Sequence, residues 1–452
     1  MTPTREPPGP RGHWLLGDAG EFRRDPLAFL VELQARYGPV ARFHMGPFPC
    51  YLLSDPEDVH TFLTLPGERI GKPAMVRRGF RKFFGDSLVV LEGAEHRTRR
   101  RLMQPAFHPK RVDGYAATMV EHSERALACW PAGESRDLED SMMDLALEVI
   151  VKTMFGTDLT GRARELAPAL AEVSAFAKRE IQAVVSLPDW VPTPGNLRKR
   201  AAIRLLRGMV LDIVQARRAA QDDQGDLLAM LLQASEGGGA RLSDHEVVDE
   251  TLSFFIGGHE PSGLLMCWAL YLIARHPAVE LALHAELDHV LAGRAPTLED
   301  LPRLKYTRRI VREVLRLRPP GWIFVREPIG AHSVGEYALR SRSTVFISPY
   351  VMHHDPRYYP DPTRFDPDRF DDDFDARVPR HAYLPYGGGS HNCMGQHFAS
   401  MQGVLVLATL VRASRFVPED DGEVGLAPLF GLGMSRRIRM RREPRTPAMS
   451  PG

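Results

Sequence analysis

The run Tyr386-Gly387-Gly388-Gly389-Ser390-His391-Asn392-Cys393-Met394-Gly395 sets one cysteine behind three consecutive glycines and ahead of a helical pattern (His397, Phe398, Met401, Val404, Leu405). Glycines permit a tight turn that passes close to something flat or bulky, and the N–H groups of such a turn can point at a thiolate. A sulfur at or just before the positive end of a helix, with N–H donors around it, has its pKa lowered. A permanently ionised sulfur is what an iron-ligating cysteine requires. A glycine-rich turn with a cysteine is not by itself specific to this chemistry. Cys50, Cys129 and Cys267 are far apart and form no CxxC pair. They read as inert core residues of a protein kept in a reducing cytosol.

Tyr386 to Gly395 resembles the cysteine-loop signature of the cytochromes P450, usually Phe-Gly-x-Gly-x-His/Arg-x-Cys-x-Gly, with Tyr386 in place of Phe. That swap keeps a ring and adds a hydroxyl near the sulfur. Three further motifs stand in the family's order. Glu313-Val314-Leu315-Arg316 resembles its Glu-x-x-Arg, whose charged members are helix neighbours. Pro367-Asp368-Arg369-Phe370 resembles its Pro-x-Arg-Phe. Upstream, His96 and Arg100 match its His-x-x-x-Arg. The resemblance implies that Cys393 ligates the iron of haem b (iron protoporphyrin IX) within a loop bounded by Gly387 and Gly395. It implies a buried Glu313–Arg316–Arg369 triad that fixes the cysteine segment. It also implies that His96, Arg100, Arg326 and His391 contact the propionates, through charge-assisted hydrogen bonds. The fold implied is mainly α with small β-sheets, the single-domain prism of that family over 1–452, and the activity is monooxygenation.

The family usually reads Ala/Gly-Gly-x-Asp/Glu-Thr-Thr/Ser in its central helix, where this chain has Gly257-Gly258-His259-Glu260-Pro261-Ser262. The acid is kept as Glu260, but Pro261 replaces the alcohol that helps deliver protons. Proline has no side-chain donor and no N–H, and its ring clashes with the carbonyl of Gly257. Ser262 is one step round the helix, roughly 100° away, and faces the haem only if the helix is distorted. Two readings follow. Protons arrive through Glu260, Ser262, water or a substrate hydroxyl, or the chemistry needs no relay (peroxygenase, isomerase, dehydratase or group transfer). The first is preferred.

Val89, Phe254, Phe255, Gly258, Trp322, Ile323 and Phe324 are the candidate pocket residues that the resemblance implies. They are apolar or small and point to a hydrophobic substrate such as a terpenoid, polyketide or fatty-acid derivative, as in secondary metabolism. The chain contains no flavin or iron–sulfur domain, so electrons must come from another protein. Arg97, Arg99 and Arg101 would suit an acidic ferredoxin, itself served by a ferredoxin reductase, unless they are simply a solvated face. A haem sensor would usually carry an output domain, and none is visible.

These groups need elements to hold them. Apolar residues at helical spacing predict helices over Met119–Trp130, Asp137–Phe155, Arg162–Val185 and Leu197–Ala220. Ser243 and Glu246 form a capping-box pattern that starts a long helix running to Arg275, where His276-Pro277 stops it. Strand-like pieces lie near 40–53 and 321–347. Hydrophobic residues are 44% and charged residues 25% of the 452, as in ordinary globular proteins, and a net charge of +1 gives no bulk case for nucleic acid or anionic membrane. Met1 to Gly20 has no apolar run, so neither signal peptide nor membrane anchor is expected. The expectation is a cytoplasmic monomer.

Overall fold

The computed structural model describes residues 5–156, 168–170, 172–173, 191–220, 226–236 and 242–445. The predicted helix over Arg162–Val185 falls largely outside them. Helices dominate what is described, with small sheets at the edges. Helix α1 (Pro26–Tyr37) leads into strands β1 (Val40–Met45) and β2 (Phe48–Leu53), and β3 is the short pair Ile70–Gly71. Then come α2 (Ala74–Phe84), α3 (Gly93–Met103), α4 (Leu138–Phe155), α5 (Pro194–Ala220), α6 (Asp244–Arg275) and α7 (Lys305–Leu317). Strands β4 (Phe324–Pro328) and β5 (Thr344–Ile347), helix α8 (Gln396–Val411), and the hairpin β6 (Leu426–Pro428) and β7 (Leu432–Met434) follow.

The largest sheet has the order β1-β2-β5-β4-β3, antiparallel except for β2 with β5. It packs on α1 through Phe22, Phe29, Phe43 and Phe346, whose rings meet edge to face at 5.0–6.0 Å. The main core lies elsewhere, between α4, α6, α7 and α8.

Helix α6 is the axis of that core. The Ser243 side chain accepts from the Glu246 N–H, and Glu246 reaches back to the Ser243 N–H, so the capping box is formed. From Val247 to Ile273 most of its residues are buried. Helix α4 runs along one side of it: the place a Cβ would take on Gly258 is 2.5 Å from Ile150 Cδ1, and on Gly263 it is 2.4 Å from Met143 Sδ. Two of the glycines that weaken this helix are therefore the price of close helix–helix approach. The helix continues unbroken through Pro261.

Candidate active site

Helix α8 begins at Gln396 with Gly395 as its N-cap, so Cys393 sits two residues before the positive end. The turn before it is built by Gly387 and Gly389, both at φ +70. A Cβ on Gly389 would lie 2.1 Å from the Leu63 carbonyl oxygen, so only glycine fits there. The Cys393 N–H donates to the Tyr386 carbonyl at 2.9 Å and closes the loop. The cysteine has exposed surface yet lies deep enough that burial pushes its thiol up, against the pull of the Gly395 N–H and the Arg100 charge. The Tyr386 hydroxyl is bonded to Ser400 Oγ at 2.9 Å, and burial pushes its pKa up to about 12.

Cations converge beside this loop. Arg100 on α3 donates to the Asn392 carbonyl (2.9 Å) and to Asn392 Oδ1 (2.5 Å), directly before the cysteine. His96, one turn earlier, is buried and stacks on His391 with ring centroids 4.0 Å apart. Burial, then the nearby His391 and Lys72 charges, hold it down to about 3. Arg326 on β4 is buried, donates to the Val325 carbonyl (2.8 Å), lies over the Phe324 ring, and is brought down to about 10 by burial. Neither Arg100 nor Arg326 has a carboxylate ion-pair partner among the described residues.

The sequence reading missed Lys72 and Glu92, because they come from separate segments and match no motif. Lys72 Nζ is 3.2 Å from Glu92 Oε1, and burial lowers it to about 8. Burial pushes Glu92 up, but its bond to His391 and the Lys72 charge prevail and bring it to about 2. The cluster thus holds three side-chain cations and a single carboxylate, an imbalance that an anionic ligand would offset.

Across from the loop stands α6. Gly257 is exposed although Ile256 and His259 are buried, and a Cβ there would meet nothing within 4 Å. Glu260 points to the tip of the β6–β7 hairpin, its Oε1 lying 3.3 Å from where a Gly431 Cβ would stand. Trp268 and Trp322 pin this tip by donating to the carbonyls of Leu432 (2.8 Å) and Leu429 (3.1 Å). Between them Phe430 meets Phe80 and Phe84 of α2 at 6.0 and 6.4 Å. Val89 is half-buried just beyond α2.

Of the expected pocket and catalytic residues, Gly258 packs against Ile150 of α4 and Phe255 is buried in the main core. Helix geometry puts Ser262 roughly 200° round the helix from Glu260. His259 is buried against the Met143 backbone and is held down to about 4 by burial. Phe254 leans on Phe107 at 5.2 Å. Trp322 and Ile323 pack into the sheet core with α1. Arg99 is not a surface cation: it is buried and paired with Glu250 (2.7 Å) and with Glu246.

Glu313 and Arg316 are both fully buried and bond at 2.6 and 2.8 Å. Arg316 also donates to the carbonyls of His353, Pro362 and Arg364, while Glu313 accepts the Asp366 N–H. Arg369 Nε lies 3.6 Å from Glu313, and its other nitrogens hold the Pro360 and Asp361 carbonyls.

A family model described as Cytochrome P450 matches residues 7–434. Among curated proteins, cyclooctatin synthase of Streptomyces melanosporofaciens is 36% identical over 442 residues, covering 96% of this chain and 95% of that one. Cyclooctat-9-en-7-ol 5-monooxygenase of the same organism is 35% identical over 430 residues, covering 92% and 93%. Pentalenene oxygenase of Streptomyces avermitilis is 32% identical over 437 residues, covering 96% of each. A match of this extent, over a glycine-built cysteine loop flanked by buried cations, makes the chain a member of the cytochrome P450 family of monooxygenases.

Proposed function

We propose that the chain binds haem b through Cys393 and oxidises a hydrophobic small molecule of the terpenoid class, using dioxygen and electrons from a separate protein. One observation carries this reading: Cys393 lies in a glycine-built loop just before the N-terminus of α8, with Arg100 and Arg326, neither paired with a carboxylate among the described residues, beside that loop. The residues fit the group. The sulfur offers a thiolate, Arg100, Arg326, Lys72 and His391 offer donors for two carboxylates, and Gly257 leaves room on the facing helix. When bound, the haem supplies dioxygen activation, inserting one oxygen atom into substrate and releasing the other as water.

The chain's own residues would do the rest. The Gly395 N–H and the helix end stabilise negative charge on sulfur. Glu260 Oε1, beside Gly431, holds and passes a proton. Pro261 leaves the Gly257 carbonyl without its helical donor, so that oxygen can anchor a water on the route. Ser262 stands apart from that route. Phe80, Phe84, Val89 and Phe430 supply an apolar wall. Two of the three relatives are named for unsaturated carbon skeletons, pentalenene and cyclooctat-9-en-7-ol, which favours a terpenoid over a polyketide or a fatty acid.

The relay-free alternative rests on Pro261, which offers no proton donor where the family has an alcohol. Labelled dioxygen separates the two. Label in the product of a terpenoid that shifts the spin state of the purified protein supports oxygenation; a product without label contradicts it.

For electrons we infer a ferredoxin served by its reductase, docking near Arg97 and Arg101, which are exposed on α3. Arg97 already lies 3.5 Å from Glu68, and Arg99 is internal, so this patch is smaller than the sequence implied.

A further inference from the structure

The segment from Gly85 to Leu91 joins α2 to the cationic cluster, since Glu92 follows it directly. It is irregular, so its amides find no ladder of their own and each needs an acceptor. Two of them find carboxylates on α6. The Asp86 N–H donates to Asp249 Oδ2 at 2.8 Å, and the Leu88 N–H donates to Glu250 at 2.9 and 3.1 Å. Both acids are buried, Glu250 completely. The approach is close: at Gly85, φ is +56 and a Cβ would fall 2.0 Å from Asp249 Oδ2.

Two cations complete the cluster from two other helices. Arg99 of α3 bonds Glu250 at 2.7 Å and also reaches Glu246. Arg207 of α5 lies 2.6 Å from Asp249 Oδ1, with His245 of α6 at 3.8 Å from Oδ2. Burial pushes Glu250 up to about 7, against the pull of the Leu88 N–H and Arg99. Apolar side chains would fill this place at least as stably as buried acids do. What they would not do is hold the amides of a turn. The segment held in this way carries Val89, and it follows Phe84, whose ring meets Phe430 at the hairpin tip beside Glu260.

We propose that Glu250 and Asp249 are positioning residues that fix residues 85–91 against the central helix, and so set how large a molecule the site admits. This rests on the haem site proposed above, in that the fixed segment walls the space over Cys393.

The test uses the full, haem-loaded chain with Glu250→Gln, Asp249→Asn, both together, and Gly85→Ala, which presses on the same contact from the other side. Deuterium exchange is read over residues 84–92. Binding of imidazole and of the larger 4-phenylimidazole is read from the Soret shift. The double variant should exchange about tenfold faster over 84–92, with smaller changes elsewhere. It should bind imidazole within about twofold of wild type while its affinity for 4-phenylimidazole changes by about fivefold or more, a factor worth about 1 kcal/mol. Each single variant and Gly85→Ala should shift the same segment in the same direction. Unchanged exchange over 84–92 in Glu250→Gln, or equal changes in affinity for both probes, overturns the proposal. Failure of the haem reading would look different: wild type would show no Soret response to either probe, while the exchange experiment would still report on the latch.

Discussion

Pro261 is where the chain departs furthest from its family at the scale of single residues. The structure keeps it within an unbroken helix, with Gly258 against α4 and Glu260 near the hairpin tip. If Glu260 passes the proton, Glu260→Ala should lower product formation by about 10²-fold, the lower range of a positioned acid–base group, and send more electrons to hydrogen peroxide. Peroxide yield per NADPH oxidised measures this, and an unchanged yield would remove Glu260 from the route. Pro261→Thr should restore a hydroxyl and leave oxygenation intact or improved. Loss of oxygenation in that variant would mean that the open Gly257 carbonyl is what matters. The cysteine loop was readable because its residues are contiguous and two of its glycines, Gly387 and Gly389, sit at positive φ, with Gly389 also pressed against Leu63. The facing helix was harder. Sequence gives its period but not its rotation, so the close packing of Gly258 on Ile150 of α4 could not be read from it.

At the scale of elements, α7 is joined to the chain between residues 353 and 366, which precedes the cysteine loop, by one buried hub. Glu313 and Arg316 are satisfied by each other and by backbone groups between residues 353 and 366. Glu313→Ala should therefore destabilise the protein by about 3–5 kcal/mol, because an unpaired buried guanidinium remains. Urea unfolding measures it, and a loss below about 1 kcal/mol would reduce the pair to an ordinary surface bridge. His353 extends this hub. Its Nδ1 lies 3.1 Å from the Arg316 carbonyl, and its Nε2 accepts the Leu384 N–H at 2.8 Å, which requires the neutral ring. Burial, then the Arg316 charge, hold it down to about 3. Below its ordinary pKa near 6.5 the unfolded chain takes up a proton that the folded chain refuses. This contribution is complete above about pH 6.5 and is lost as pH falls toward 3, by about 2 kcal/mol at pH 5. His353→Gln keeps a donor and an acceptor without titrating, so its stability deficit against wild type should narrow between pH 7 and pH 5. A constant deficit would mean that the ring is not held neutral. The motifs announced this hub through Glu313, Arg316 and Arg369, but not His353, which is distant in sequence and belongs to no pattern. Arg99 failed for the opposite reason: it alternates with surface arginines in sequence, yet the helix turns it inward to Glu250.

Taken whole, the described residues form a mainly helical core with small sheets at its edges, and the cysteine loop with its cations lies at the N-terminus of α8. No single helix among the described residues is long and apolar enough to cross a membrane. The helical content, the central helix and the two strand regions were legible from periodicity and caps. The cationic cluster was only half legible, since Lys72 and Glu92 enter it through the fold. Every functional statement depends on Cys393 being the iron ligand, and one spectrum tests that directly. The purified protein, reduced and exposed to carbon monoxide, should show the strongly red-shifted Soret band of a thiolate-ligated haem, and Cys393→Ala should lose it while any haem retained absorbs at shorter wavelength. A variant that keeps the red-shifted band would contradict the assignment of Cys393 as the ligand.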